Sequence, residues 1–335
     1  MIIDSHAHLV APSALYAHRS NLTVSGGQYG DPFRAPVSDA DLEKSAAQNV
    51  AIMDGVGTDL QVLSPRPFML LHGPARWEDI VSWTWDNNDL IARTVKLHPK
   101  RFRGVGALPQ ALGRPIETAF DEIKRCVEEL GFVGVLLNPD PSEGRGTSPP
   151  LGDPYWYPLF ERLCELDLPA HIHSGQCCGR ETYDEHFITE ESLAITSLIR
   201  ANIFSRFPGL KLLVSHGGGA IPYQVGRWRS NRRMAIEAGR LPKETESFDA
   251  TLRRFWFDTV LHNRRSLELL FDVVGAGRCL FGTERPGSGG GTDPLTGRPY
   301  DDLKPVIESI EGLTADERTG IFSRNARDFF RRLGA

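Results

Sequence analysis

Apolar positions along the chain fall into two recurring patterns. Short runs of strand length occupy residues 1–8, 60–64, 102–107, 132–137, 168–173, 210–215, 255–259 and 278–283. Between them, apolar residues recur at helical spacing. The first helix opens at the box Ser38-Asp39-Ala40-Asp41, carries Leu42, Ala46, Val50 and Met53 on one face, and stops at Gly55 and Gly57. The spacing predicts further helices over 77–98, 115–131, 157–166, 189–207, 221–240 and 266–274. A second box at 314–317 starts a terminal helix, whose Ile321, Phe322, Phe329, Phe330 and Leu333 would pack against the rest. Residues 9–37 show no period and read as a long loop over the end of the first strand. A Gly/Ser/Pro-rich loop follows the fourth strand as far as Pro154.

Eight short strands alternating with helices predict an α/β fold, a (β/α)₈ TIM-type barrel. The expectation is a single domain over residues 1–335, with long βα loops and a C-terminal helix. A doubly wound open sheet is the alternative, and the lack of a Gly-rich dinucleotide fingerprint after strand one disfavours its commonest version. A length of 335 residues suits one such barrel. The net charge of −5 mixes both signs, and with no basic excess no nucleic-acid partner is expected. No apolar run approaches about 18 residues, so no membrane partner is expected either. No basic region followed by an apolar one opens the chain, so no secretory signal is expected. Cys126, Cys164, Cys177, Cys178 and Cys279 are an odd number without zinc-finger spacing, which fits a reduced, cytoplasmic protein. The adjacent Cys177 and Cys178 read as small loop side chains rather than a redox pair.

Chemistry enters at the first strand. His6 and His8 are two residues apart, so in a strand they share one face and can bind one ion together. Asp4 has the same parity. Two unrelated histidines in a surface turn is the alternative. In a barrel the active site lies at the C-terminal strand ends. His173, His216 and Glu284 end strands five, six and eight, so four histidines and one carboxylate converge on one mouth. Imidazole and carboxylate suit Zn²⁺ or another divalent transition metal such as Mn²⁺, and such an ion makes water a nucleophile near neutral pH.

These residues, with the Gly-rich turn after His216, resemble the amidohydrolase superfamily, more narrowly its decarboxylase and hydratase branch. Runs at 137–141, 216–223 and 293–297 look closest to a hydratase, as does Glu284 where the superfamily usually has Asp. Strand five departs through its extra histidine, His171, and residues 260–262 look more like a decarboxylase. The resemblance implies His6, His8, His173 and Glu284 as metal ligands and His216 as general acid or base. It implies a small anionic carboxylate substrate derived from aromatic ring cleavage, which arginines would grip. Arg66, Arg227, Arg285, Asn138, His171 and His262 are then the candidate substrate contacts. Arg227 would reach a neighbouring subunit's site, which implies a homodimer. Arg229, Arg232 and Arg233 read as a solvated helix face. The reaction implied is hydration of a polycarboxylate, with non-oxidative decarboxylation, lactone or amide hydrolysis, and a non-catalytic metal-binding barrel as alternatives.

Overall fold

The computed structural model describes residues 1–25, 34–73 and 75–334. Its strands are β1 (Ile3–His8), β2 (Leu60–Ser64), β3 (Phe102–Ala107), β4 (Gly134–Leu137), β5 (Ala170–Ile172), β6 (Leu212–Val214), β7 (Trp256–Asp258) and β8 (Cys279–Leu280). They pair in parallel in sequence order. The sheet closes on itself where Ser5 N donates to Phe281 O (2.7 Å) and Glu284 N donates to His6 O (2.7 Å). This is the expected (β/α)₈ barrel.

Its helices are α1 (Ser13–Ser25), α2 (Asp39–Val56), α3 (Trp77–Leu97), α4 (Phe120–Glu128), α5 (Tyr157–Glu165), α6 (Tyr183–Arg200), α7 (Ile203–Arg206), α8 (Val225–Glu237), α9 (Phe248–Leu252), α10 (Arg264–Val274), α11 (Leu303–Glu308), α12 (Ala315–Thr319) and α13 (Asn325–Phe329). The expected caps form. Ser38 Oγ accepts from Asp41 N (3.1 Å) at the start of α2, and Gly57 ends it at φ 75°, donating to Met53 O. That left-handed position is why a glycine stands there.

Four expectations need correction. Residues 13–25, read as loop, form α1; residues 26–33 of that stretch lie outside the described residues. Helix α6 starts six residues earlier than its apolar spacing suggested, at a Thr182/Glu185 capping box, and breaks at Asn202, which is left-handed at φ 48°. The terminal helix is interrupted by a π-turn at Gly320–Arg324. Arg232 is buried rather than solvated, donating to Glu246 O, Ile199 O and Asn202 Oδ1.

The largest core cluster lies between the strands and the helices, with Trp156, Phe160, Phe204, Phe255 and Phe257 all buried. A second cluster joins Phe329 and Phe330 of the terminal segment to Ile3 and Leu60, the first residues of β1 and β2. Each such phenylalanine contributes about 1.5–3 kcal/mol by burial. The terminal segment thus seals the strand starts and leaves the other mouth for chemistry. Gly104 in β3 lets α3 and the following segment close in, since a Cβ there would lie 2.4 Å from the Phe132 ring. Gly104→Ala is therefore expected to destabilise the protein by about 1–3 kcal/mol through overpacking, read as a lower urea midpoint with an unchanged slope.

Candidate metal centre and active site

The mouth at the strand C-termini collects four side chains. His6 and His8 come from β1, His173 directly follows β5, and Glu284 lies four residues beyond β8. Their candidate ligand atoms all lie within 4.8 Å of one another, and all four residues are buried. Ring centroids of His6 are 5.0 Å from His8 and 5.1 Å from His173. Asp4, on the same strand face, lies beneath: it accepts from Gln61 Nε2 (2.9 Å), Thr283 Oγ1 (2.6 Å) and Thr283 N (3.0 Å), clamping β1 between its neighbours.

Each imidazole is oriented by its other nitrogen. His6 Nδ1–H donates to Asp258 Oδ2 at 2.6 Å. His173 Nδ1–H donates to the Ser174 carbonyl at 2.8 Å. His8 Nδ1–H donates to Ser64 Oγ at 2.9 Å, because that hydroxyl spends its own proton on backbone carbonyls. The Nε2 atoms of all three, and of His216, are buried with no hydrogen-bond partner among the described residues. Buried polar atoms are normally paired. The Nε2 lone pairs of His6, His8 and His173, converging beside a carboxylate with each ring held by an outer acceptor, are what a divalent cation requires. The donor set therefore fits the metal implied by the sequence.

The charges agree. Burial, the neighbouring His6 and Arg66 push His8 down to about 4 against the pull of Glu284, so the ring is neutral and can ligate. Burial and the surrounding imidazoles hold His173 well below its usual value. Burial opposes ionisation of Glu284, but contacts with His216 and His8 outweigh it and keep the carboxyl far below its ordinary range. Burial likewise opposes a charge on His216, but Glu191 and then Glu284 overcome it and raise the ring well above its usual value.

His216 stands beside the four, its Nε2 3.8 Å from Glu284 Oε1. Its Nδ1 bonds both Glu191 oxygens, at 2.9 and 3.0 Å, and Phe187 stacks on the ring at 4.2 Å. Both come from α6, one helical turn apart. His216, His262 and Glu284 all hold positive φ, at 50°, 49° and 59°. Such strain costs of order 1–3 kcal/mol per residue and collects at functional sites.

The other candidates divide. Arg66, half-buried after β2, donates from Nε to Leu9 O (3.3 Å) and lies 5.9 Å from the Phe68 ring centroid, and its terminal nitrogens have no hydrogen-bond partner among the described residues. His262 sits near the mouth, and neither ring nitrogen has a hydrogen-bond partner among the described residues. His171 lies deeper, 4.7 Å from the His6 ring, and donates to Ser215 Oγ (2.8 Å). Asn138 is occupied: Oδ1 accepts from Asp140 N and Gly175 N, and Nδ2 reaches His72 Nδ1 (2.9 Å), which ties two loops together. Arg285 is buried in a paired contact with Asp301. Arg227 is exposed on α8.

Sequence reasoning missed Asp258 and Glu191. Asp258 carried a signal, being a carboxylate inside an otherwise apolar strand. Glu191 carried none, because only the tertiary fold sets it against His216. Asp258 also accepts from Gly217 N and Val260 N (both 3.1 Å), so it positions the turn after β6 as well as His6. Asp258→Asn is expected to weaken metal binding by roughly 10–100-fold, measured by competition with a chelator.

A (β/α)₈ barrel whose mouth holds three buried imidazoles, a carboxylate and a carboxylate-held histidine defines a metal-centred enzyme class. The chain belongs to the amidohydrolase family, whose profile matches residues 3–332. It is 34% identical to a 2-keto-4-carboxy-3-hexenedioate hydratase of Sphingobium sp. (strain SYK-6), over 100% of this chain and 97% of the relative. It is 30% identical to a 2-amino-3-carboxymuconate-6-semialdehyde decarboxylase of Dictyostelium discoideum, over 81% of this chain and 72% of the relative. Among solved structures it is similar to 4-oxalomesaconate hydratase from Rhodopseudomonas palustris, with a TM-score of 0.89 at 34% identity, covering 99% of this chain and 96% of that one. The chain is thus an enzyme of the amidohydrolase superfamily, in the branch that holds this hydratase and the decarboxylases. No helix among the described residues is long and apolar enough to cross a membrane.

Proposed function

We propose that the protein is a divalent-metal-dependent hydratase, with Zn²⁺ or Mn²⁺ as cofactor, acting on a small unsaturated polycarboxylate of the 4-oxalomesaconate kind. The observation that carries the reading is the convergence of three partnerless Nε2 atoms and Glu284 beside His216. Similarity to a hydratase over the whole length favours hydration over decarboxylation.

His6, His8, His173 and Glu284 would hold the ion. Bound there, it supplies Lewis acidity toward an oxygen and acidifies water at neutral pH. His216 handles the proton at carbon through Nε2, with Nδ1 fixed by Glu191 and the ring face covered by Phe187. Arg66 offers its free guanidinium end to a substrate carboxylate. The homodimer would bring Arg227 and the exposed Tyr223 of one chain toward the other, and sedimentation of the purified protein tests it.

The deciding experiment supplies 4-oxalomesaconate, aromatic carboxylic acids and muconates in parallel, following absorbance and released CO₂ together. Loss of the substrate double bond without CO₂ is the expected result. Release of CO₂ from any of these acids, with 4-oxalomesaconate left intact, makes the protein a decarboxylase instead.

A further inference from the structure

Helix α6 carries two pairs of side chains four residues apart, offset from each other by one position. Phe187 and Glu191 face His216. His186 and Glu190 face elsewhere, toward Asp140 in the loop after β4. His186 is 0% exposed. Its Nδ1–H donates to Glu181 Oε1 at 3.2 Å, which in the neutral ring leaves a lone pair on Nε2. That Nε2 has no hydrogen-bond partner among the described residues, and it lies 3.6 Å from Asp140 Oδ2, too far for a hydrogen bond. Candidate ligand atoms of Asp140, His186 and Glu190 all fall within 4.8 Å of one another. Three carboxylates, those of Asp140, Glu181 and Glu190, thus surround one buried imidazole. Among the described residues no lysine or arginine is ion-paired with any of them. A small cleft of about 220 Å³, lined in part by Asp140, Ser148, Glu190 and Arg200, opens beside the two carboxylates of the group.

The arrangement repeats the logic of the main centre. There Asp258 holds His6 by Nδ1 and turns Nε2 inward; here Glu181 holds His186 the same way. A buried lone pair set against carboxylate oxygens is unfavourable unless a proton or a metal cation lies between them, and the two grouped carboxylates beside the ring suit the metal. We propose that Asp140, His186 and Glu190 form a second site, for a structural divalent transition cation such as Zn²⁺, with water from the cleft completing its coordination. One imidazole and two carboxylates suit that ion class. Asp140 is already fixed for the task, since its oxygens accept from Ser142, Ser148 and Gly144. The ion would pin the β4 loop to α6, the helix that positions His216.

The test is a metal count on the full-length protein, equilibrated with micromolar Zn²⁺, freed of loose ion and analysed for zinc per chain. Two equivalents are expected in the wild type, one in His186→Gln, one in Glu190→Gln, one in His8→Ala, and none in the His8→Ala/His186→Gln double variant. Glu190→Gln leaves the buried imidazole in place, so it gives the count even if His186→Gln folds poorly. A single equivalent in the wild type that survives in both His186→Gln and Glu190→Gln overturns the second site and leaves the main one standing. A single equivalent lost in His186→Gln but kept in His8→Ala does the reverse. With Co²⁺ in place of Zn²⁺, a thiolate charge-transfer band abolished by Cys177→Ser would overturn the nitrogen and oxygen ligand set.

Discussion

A His216→Asn protein is expected to turn over on the order of 10²–10⁴-fold more slowly than the wild type, with its metal content unchanged. The change is chosen for its fit. Asparagine tolerates the positive φ that His216 holds at 50°, and its amide can still donate to Glu191. What it lacks is a group that exchanges a proton at the position of Nε2. That nitrogen is not among the four grouped ligand atoms of the main centre, so the ion should stay. Steady-state kinetics paired with elemental analysis reads both halves. A kcat within a few-fold of wild type would remove His216 from the proton-handling role.

The second large effect comes from His173→Ala. Of the three grouped imidazoles, His173 has the simplest support, because its Nδ1 bonds the carbonyl of the next residue. Removing it leaves no other side chain without its partner, whereas removing His6 would leave the buried Asp258 Oδ2 without its own. The fold should therefore persist while the ion is held at least about 100-fold more weakly, the upper end of what losing an outer partner alone costs. Activity should fall with occupancy and recover only partly at high Zn²⁺ or Mn²⁺. Wild type stripped by a chelator should lose turnover and regain it on adding either ion. Full retention of main-site metal by His173→Ala, measured by equilibrium dialysis, would exclude that ring from the ligand set.

The barrel was readable because its strands are short apolar runs separated by helices with clear stripes. The paired histidines of β1 were readable for a related reason: a period of two puts them on one face whatever the rest of the chain does. Helix α1 was missed because its buried face includes His18, whose ring contacts Asp86 at 2.8 Å. Counting His18 as polar breaks the run between Leu15 and Leu22. The start of α6 escaped the apolar pattern, although Thr182 and Glu185 spell a capping box, because its first turn, Tyr183-Asp184-Glu185-His186, is mostly polar. Asn138 and Arg285 looked available from sequence, yet each is used up by a partner distant in the chain, His72 and Asp301. Burial of that kind leaves no trace in local pattern.

The seam between β1 and β8 bears on how the protein matures. Glu284 N is bonded to His6 O, so one end of the donor set meets the other only when the last strand docks. A nascent polypeptide halted before that point would display three imidazoles without the carboxylate that completes the set. An ion held by these four residues would accordingly wait for the cylinder to close.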